Sequence, residues 1–485
     1  MTDTPMVRRA SRALSAIAVA SALCGCTVGP NFHSPVVDSP PHFGATATDV
    51  PSKPVEAPVD ATWWKSFQEP ELTSLVDRLA GQNLDLKIAA ERVLQAKAER
   101  TVAAAQGLPH IGARAAYQRV RESRNGTVSL LEPAPGAPLE FDQDDDMLQA
   151  SWELDLFGRV RRSVEAANAN TKAAVEESRA MTLSALAELA QTYFQLRGVQ
   201  AREDVVNRNF AAALKRAALV KDRYKNGVAT LSDVAQADAQ ASTIGEELPT
   251  LAQSEARMIN AMGLLLAEPP RTLRPELIAH VNEPAQPLTV PIGLPATLLR
   301  RRPDIREAEA RLHAATAETG VAVAAFYPDV SLTGSFGTES LGADHLFDAA
   351  SRMFMAGPSL SLPIFEGGQL RGQLHLRRAE QREAAISYRK TVLQAWHDVD
   401  NALTAYAELQ HLEQNALAVE ENDEVALKVA EDRYRQGVET FIDVTSAQSE
   451  VFRAQDSLVR SKTDLRISLV TLYKALGGGW ETIVR

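Results

Sequence analysis

From Arg159 to Asn226, apolar residues such as Leu183, Leu186, Leu189, Ala190 and Phe194 recur at helical spacing with charges between them. The stretch holds no proline, and Gly198 is its only glycine. Leu370 to Gln436 has the same character, with Gly372 as its one glycine. At 1.5 Å per residue, helices of about 65 residues reach on the order of 100 Å, more than a single globular core is wide. Segments 228–266 and 438–476 also read as helical but are about half as long, so a further helix must continue the second column. Segments 72–106 and 297–325 supply it, each ending just before the proline that opens an alternating segment.

At 147–156, MLQASWELDL places Leu148, Ala150, Trp152, Leu154 and Leu156 on one face and Gln149, Ser151, Glu153 and Asp155 on the other. That is a strand with one oily and one wet side. Segment 355–364 sets Ala356, Pro358, Leu360, Leu362 and Ile364 against Gly357, Ser359 and Ser361. Segment 329–336 sets Val330, Leu332, Gly334 and Phe336 against Asp329, Ser331, Thr333 and Ser335, and 110–119 follows less cleanly with Ile111, Ala113, Ala115 and Tyr117. The strands are expected at about 108–120, 147–157, 328–337 and 355–365, with loops at roughly 121–146 and 338–354. Such lengths suit tilted strands crossing a bilayer. A hairpin in a water-soluble sheet would need a core over its oily face, and the rest of the chain is long amphipathic helix.

Four strands leave open edges that a bilayer does not tolerate, so a spanning barrel must be completed by other chains. Two copies would give about eight strands with a filled interior, whereas three give about twelve and an open lumen. A homotrimer is the smallest assembly that makes a pore, with Gln149, Glu153, Asp155 and Ser359 facing water.

The chain is also a duplication. RYKNGVATLSDVAQADAQ at 223–240 returns as RYRQGVETFIDVTSAQSE at 433–450, with eight of eighteen positions identical. Gly227 and Gly437 stop one helix before the next begins, because glycine accepts the left-handed backbone of a helix C-terminus. Residues 92–113 align likewise with 311–332, sharing Pro109 and Pro328, and WELDLFGR at 152–159 resembles LSLPIFEGG at 360–368. The organisation is a signal at 1–25, an extended arm at 26–62, a first repeat at 63–266, a Pro-rich segment at 267–296, a second repeat at 297–476 and a tail at 477–485.

The first residues carry Arg8, Arg9 and Arg12 before an apolar run from Ala13 to Leu23, the layout of a secretory signal and too short for a membrane-spanning helix. The run ends in LCGC, which places Cys26 in the context of bacterial lipoprotein processing. A lipidated Cys26 leaves no thiol for a disulfide or a zinc site. Thr27 follows where an inner-membrane retention signal would have Asp, which directs the protein to the outer membrane, and folded structure is expected from near Trp63. The net charge of −11, without a basic patch, makes nucleic acid an unsuitable partner. Asp142, Asp144, Asp145 and Asp146 lack the glycine and distal Glu of a calcium loop and are expected in a solvated loop at the outer rim. His397, Asp398 and Asp400 do not converge as metal ligands, and no GxSxG, HExxH or phosphate loop is present.

GCTVGPNFHSP, WWKSFQEPELTSLV, LLRRRPDIREAEARL, FYPDVSL, LPIFEGG and both RYxxGVxT tips together resemble the TolC-type outer-membrane efflux family, in its lipoprotein branch. The resemblance implies an α+β membrane protein: a trimeric twelve-stranded outer-membrane β-barrel, four strands per chain, continuous with a long periplasmic α-helical barrel and a belt that includes 267–296 and the tail. It implies a non-enzymatic exit channel without cofactors beyond the Cys26 lipid. Its partners would be outer-membrane lipid, a periplasmic membrane-fusion adaptor and an inner-membrane pump, of RND type. The adaptor would meet the tips at Gly227, Val228, Gly437 and Val438.

In such a channel the periplasmic mouth is ringed by acids, and Glu439, Asp443 and Ser446 fall at i, i+4 and i+7, one helix face. Three Asp443 carboxylates around one axis would favour cations. The family pattern makes Tyr434 a gate link, with Ser232 and Asp233 as partners on the first hairpin and a Tyr434–Asp233 contact expected. Asp233 and Asp443 also suit the start of a helix, near the positive end of its dipole. Glu439 stands where some relatives have a linking Arg, and Ser446 where many have a second Asp. Rival readings are a lipid-anchored periplasmic adaptor or coiled-coil protein, a lipid-anchored hydrolase, and the exit duct of a protein-secretion system.

Overall fold

The computed structural model describes residues 27–44, 49–123, 125, 139–279 and 287–483. Lipidation at Cys26 lies outside them. The helices are α1 (Pro70–Gln82), α2 (Leu84–Ala105), α3 (Arg159–Lys225), α4 (Leu231–Gly245), α5 (Glu247–Leu265), α6 (Arg274–Leu277), α7 (Pro295–Arg301), α8 (Pro303–Ala324), α9 (Gln369–Arg435) and α10 (Phe441–Ala475). The strands are β1 (Lys53–Val55), β2 (His110–Arg121), β3 (Glu140–Glu153), β4 (Thr289–Pro291), β5 (Asp329–Ser340) and β6 (Arg352–Ser361). The chain divides into two compact units, one holding Leu94–Ala173 and Glu309–Ser387 with the chain up to Pro35, the other Val36–Val93, Ala174–Ala308 and Tyr388–Arg485.

The first unit contains an antiparallel sheet in the order β2-β3-β5-β6. Its register decides whether the alternation seen in sequence has a common meaning, because residues directly opposite each other share a face. Leu148 faces Ala113 and Phe336, and Phe336 faces Phe354; Trp152 faces Leu332, and Leu332 faces Pro358. Gln149 pairs with Ser335, Ser151 with Thr333, and Ser331 with both Glu153 and Ser359. The oily positions of all four strands therefore share one face. β2 and β6 are the open edges.

β3 begins seven residues before the alternation does, so Asp142, Asp144, Asp145 and Asp146 lie in a strand and not in a rim loop. Both faces of this extension are polar, which erased the period-two signal. Cross-strand charge holds it instead: Arg119 lies 3.8 Å from Asp142, and Arg121 lies 3.1 Å from Glu140. Asp155 is also displaced from its expected place on the wet face. It follows the strand and starts α3, its carboxylate accepting from the backbone N–H of Val160 at 3.0 Å and Arg161 at 2.9 Å.

Ordered contacts begin well before Trp63. The Val28 N–H donates to the Phe157 carbonyl at 3.2 Å, and Arg162 donates to the Val28 carbonyl at 3.2 Å and to Asn31 at 2.7 Å. Phe32 stacks on His313 with ring centres 4.3 Å apart, and His313 lies 2.9 Å from Glu165. Half of the Arg162 hydrogen bonds go to main-chain carbonyls, those of Val28 and Gly29, and carbonyl contacts leave no trace in residue type.

In the second unit the apolar stripe of α3 forms core: Leu183, Leu186, Leu189, Ala190 and Phe194 are all buried. Trp63 is fully buried, stacks on Tyr473 at 5.1 Å and donates its indole N–H to the Gly478 carbonyl at 3.1 Å. The tail is held further by Trp480, over which the guanidinium groups of Arg179 and Arg306 sit at 4.8 and 5.7 Å. Gln410 reads the arm as a strand neighbour would, accepting from the Ser52 N–H at 2.7 Å and donating to its carbonyl at 3.2 Å. Helix 72–106 of the sequence reading is broken at Asn83, whose side chain accepts from the Leu86 N–H at 2.9 Å and donates to the Leu265 carbonyl at 2.7 Å. Helix 297–325 is broken at Arg302, where the backbone turns extended before Pro303.

Candidate functional site

The candidate site lies where the two hairpins of the second unit end. Each long helix stops in the same way. Gly227 and Gly437 take positive φ, 77° and 76°. The Val228 N–H then bonds the Arg223 carbonyl at 2.9 Å and the Val438 N–H the Arg433 carbonyl at 3.0 Å, closing a Schellman turn. Thr230 and Thr440 follow as N-caps. The Asp233 carboxylate accepts from the Thr230 N–H and hydroxyl, both at 2.8 Å, and the Asp443 carboxylate from those of Thr440 at 2.9 and 2.6 Å. Both aspartates thus complete capping boxes. The hydrogen bonds from Thr440 hold the Asp443 carboxyl below its ordinary range.

The tips are alike in backbone and unlike in packing. Leu231 is 66% exposed, whereas Phe441, at the equivalent position, is only 7% exposed. The Phe441 ring packs with Ala217, Val220 and Ala237 of the first hairpin, with Tyr434 beside it. Tyr434 lies 5.7 Å from Phe441, and the guanidinium of Arg223 covers its ring at 4.7 Å. Polar contacts tie the hairpins further along: Arg216 to Glu431 at 2.7 Å, Gln240 to Ser449 at 3.2 Å and Asn209 to Gln455 at 2.8 Å.

Several anticipated residues occupy other roles here. Glu439 precedes the N-cap, so it does not share a helix face with Asp443 and Ser446; it pairs with Arg433 at 3.2 Å. Among the described residues no hydrogen bond joins Tyr434 to Asp233, whose carboxylate is engaged by Thr230. Ser232, Asp443 and Ser446 are exposed, and Val228 and Val438 present 65% and 63% of their surface at the tips. Asp398 accepts from Arg302 at 3.0 Å, and among the described residues no group of three or more candidate ligands converges. Arg223, Arg433 and Arg216 escaped the sequence reading. Arg223 and Arg433 stood in the sequence only as the first letter of the RYxxGVxT tips, and the exchange of Ala229 for Glu439 was the sign that they take different partners.

Residues 75–266 and 294–478, one span in each repeat, match the family model described as outer membrane efflux protein. The chain belongs to that family. Among its relatives, this outer membrane efflux protein is 31% identical to outer membrane protein OprJ of Pseudomonas aeruginosa, over 98% of this chain and 97% of the relative. It is 33% identical to the toluene efflux pump outer membrane protein TtgF of Pseudomonas putida, over 96% and 97% of the two chains. The outer-membrane channel OprN superposes with a TM-score of 0.86 at 32% identity, covering 94% of this chain and all (100%) of that one. VceC of Vibrio cholerae, also an outer membrane protein, gives 0.79 at 30% identity, covering 87% and 100%. The fold is that of outer-membrane efflux channels, and the family is one of transport proteins.

Proposed function

We propose that three copies of this chain form the exit duct of a tripartite efflux system, carrying small organic molecules from a periplasmic adaptor and an inner-membrane pump to the exterior. The observation that carries this reading is the sheet register. One face collects the oily positions of every strand, while β2 and β6 keep unpaired edges. In a bilayer such edges must pair, and β2 of one copy with β6 of the next closes a barrel of about twelve strands.

The arm contributes the anchor. Thr27 lies against Gly158 at the start of α3, and the lipid is carried by Cys26 before it. Lipidation thereby fixes the foot of the barrel without itself spanning the membrane. At the hairpin tips, Gly227, Val228, Gly437 and Val438 meet the adaptor, a pump of RND type supplies the energy, and Asp443 with Ser446 lines the mouth. Docking of Phe441 and Tyr434 on the first hairpin is the closed arrangement, with Ser232 and Asp233 at its edge. The named relatives TtgF and the pyoverdine export protein OpmQ of Pseudomonas putida favour small organic cargo. Purification tests the reading: a heat-resistant trimer that requires detergent and conducts ions in planar bilayers is expected, and a monomer extracted by urea overturns it.

A further inference from the structure

α3 and α9 are duplicates of equal length, 67 residues each, but they leave the sheet with different charges. In the first repeat the arginines at the helix start are matched. Arg159 donates to Glu153 at 3.0 Å, Arg161 to Asp155 at 3.2 Å and Arg162 to Glu165 at 2.7 Å. The second repeat lacks those acids: Ser361 and Pro363 take the places of Glu153 and Asp155, and His375 that of Glu165. Its positive charge grows instead. Arg371 keeps the place of Arg161, while Asn168 and Lys172 become Arg378 and Arg382.

Arg371, His375, Arg378 and Arg382 fall at i, i+4, i+7 and i+11, one face of α9, and all four are exposed. Among the described residues, none of the three arginines has an ion pair or a side-chain hydrogen bond. The side of α9 that packs on α8 lies roughly a quarter to a third of a turn away. There Gln381 donates to Thr316 at 3.1 Å, and Arg377 pairs with Glu318 at 3.7 Å and Glu380 at 3.0 Å. No acid stands in the first turn of α9, where the helix dipole itself disfavours positive charge. Unmatched cations at this end call for an anion from outside the chain.

The residues just before the helix indicate where that anion lies. Leu360, Leu362, Ile364 and Phe365 are exposed and carry apolar surface from β6 almost to the start of α9. Apolar and aromatic side chains followed by arginines are what a membrane interface selects. We propose that this face of α9 binds the phosphates of anionic phospholipids in the leaflet nearest the helices, which rests on the membrane placement of the sheet proposed above. Arg378 stands about 10 Å along the helix from Arg371, and Arg382 about 16 Å. A headgroup layer is about 5–8 Å deep, so Arg371 lies within it and Arg378 reaches it along its aliphatic stem. Arg382 acts from a turn further away and contributes less.

Native mass spectrometry of the full-length trimer, titrated with phosphatidylglycerol and separately with phosphatidylcholine, tests this. The wild type is expected to prefer phosphatidylglycerol and to lose that preference as salt rises. Arg371→Gln and Arg378→Gln each weaken phosphatidylglycerol binding about fivefold, the factor for one arginine near a charged surface, and leave phosphatidylcholine binding unchanged. Arg382→Gln has a smaller effect, and Arg371→Lys with Arg378→Lys keeps most of the preference, because a phosphate layer reads charge. Equal affinity of the wild type for the two lipids overturns the inference, whether or not the variants assemble. So does a glutamine pair that changes anion conductance without changing lipid affinity, which puts the face on the lumen. Trimers of that pair that dissociate at every lipid composition overturn it too, by putting the face against a neighbouring copy. A chain that forms no detergent-requiring trimer at all overturns instead the membrane placement on which this rests.

Discussion

Replacing Phe441 by Ala separates the two tips, because the equivalent residue of the first repeat, Leu231, is a surface side chain. A buried phenylalanine removes on the order of 150 Å² from water, worth ~3–4 kcal/mol at about 25 cal/mol/Å². With 7% of its surface exposed, Phe441 realises nearly all of that. Part of the loss falls within its own hairpin, on Tyr434, so the share that favours undocking is on the order of 1.5–2 kcal/mol, or a tenfold or larger rise in the undocked population. Leu231→Ala changes stability by less than about 0.5 kcal/mol. Hydrogen exchange over 433–445 reads the docking, and single-channel conductance of the trimer in planar bilayers reads the gate. Phe441→Ala is expected to raise both, Phe441→Leu to fall between, and Leu231→Ala to match the wild type. Equal effects at 231 and 441 would refute the argument. So would an unchanged conductance alongside a tip that exchanges faster, which would separate docking from gating.

Gly198→Ala lowers the thermal stability of the trimer, because the new Cβ would lie 2.7 Å from the Thr463 methyl and 3.0 Å from its Cβ. Overpacking costs about 1–3 kcal/mol there and outweighs the ~1 kcal/mol gained in helix propensity. Gly372→Ala, with nothing within 4 Å in the chain itself, raises the melting temperature instead; a fall there would mean that a neighbouring copy packs on it. Arg302→Gln destabilises by about 2 kcal/mol, seen in melting, since Asp304 at 2.7 Å, Asp398 at 3.0 Å and the Ala475 carbonyl at 3.1 Å lose a buried charged donor; Lys does not restore a fork-shaped contact of this kind. Cys26→Ser abolishes incorporation of labelled fatty acid while the heat-resistant trimer still forms, measured by mass and by gel mobility.

The parts of this fold that were legible in sequence are those written in a repeating period or in a residue with unusual backbone freedom. Leu148, Trp152, Leu332 and Phe336 announced their shared face because alternation is local. Gly227 and Gly437 announced the tips because a left-handed helix end selects glycine. The acidic extension of β3 was illegible, since polar residues on both faces carry no period and the partners that hold it, Arg119 and Arg121, lie on another strand. The arm at 27–35 was illegible for a different reason: part of what holds it is backbone, met by Arg162 and Phe157, and the partners of its Asn31 and Phe32 side chains, Arg162 and His313, lie far along the chain. Pro303 did mark the break between α7 and α8, but a proline at a first helical position reads equally well as a start.

The tips show how a duplicated motif acquires two roles through few changes. Arg223 and Arg433 descend from one position, yet they point to different partners. In the second tip Glu439 captures Arg433 at 3.2 Å, while in the first Ala229 offers nothing, and Arg223 instead covers the ring of Tyr434 on the other hairpin. The same comparison at 231 and 441 converts an exposed Leu into a Phe seated on the first hairpin. The two terms differ in size. A cation over a half-buried ring such as Tyr434 is worth on the order of 1 kcal/mol, and a half-exposed ion pair such as Arg433–Glu439 no more than that. The docking share of Phe441, about 1.5–2 kcal/mol, exceeds the cation contact between the hairpins, and the ion pair lies within one hairpin. Polar links at this end therefore set which side chains meet, while the apolar seat sets how firmly the hairpins stay together. On the proposed function, an adaptor opening the tip would chiefly have to offer Phe441 and Tyr434 another apolar surface.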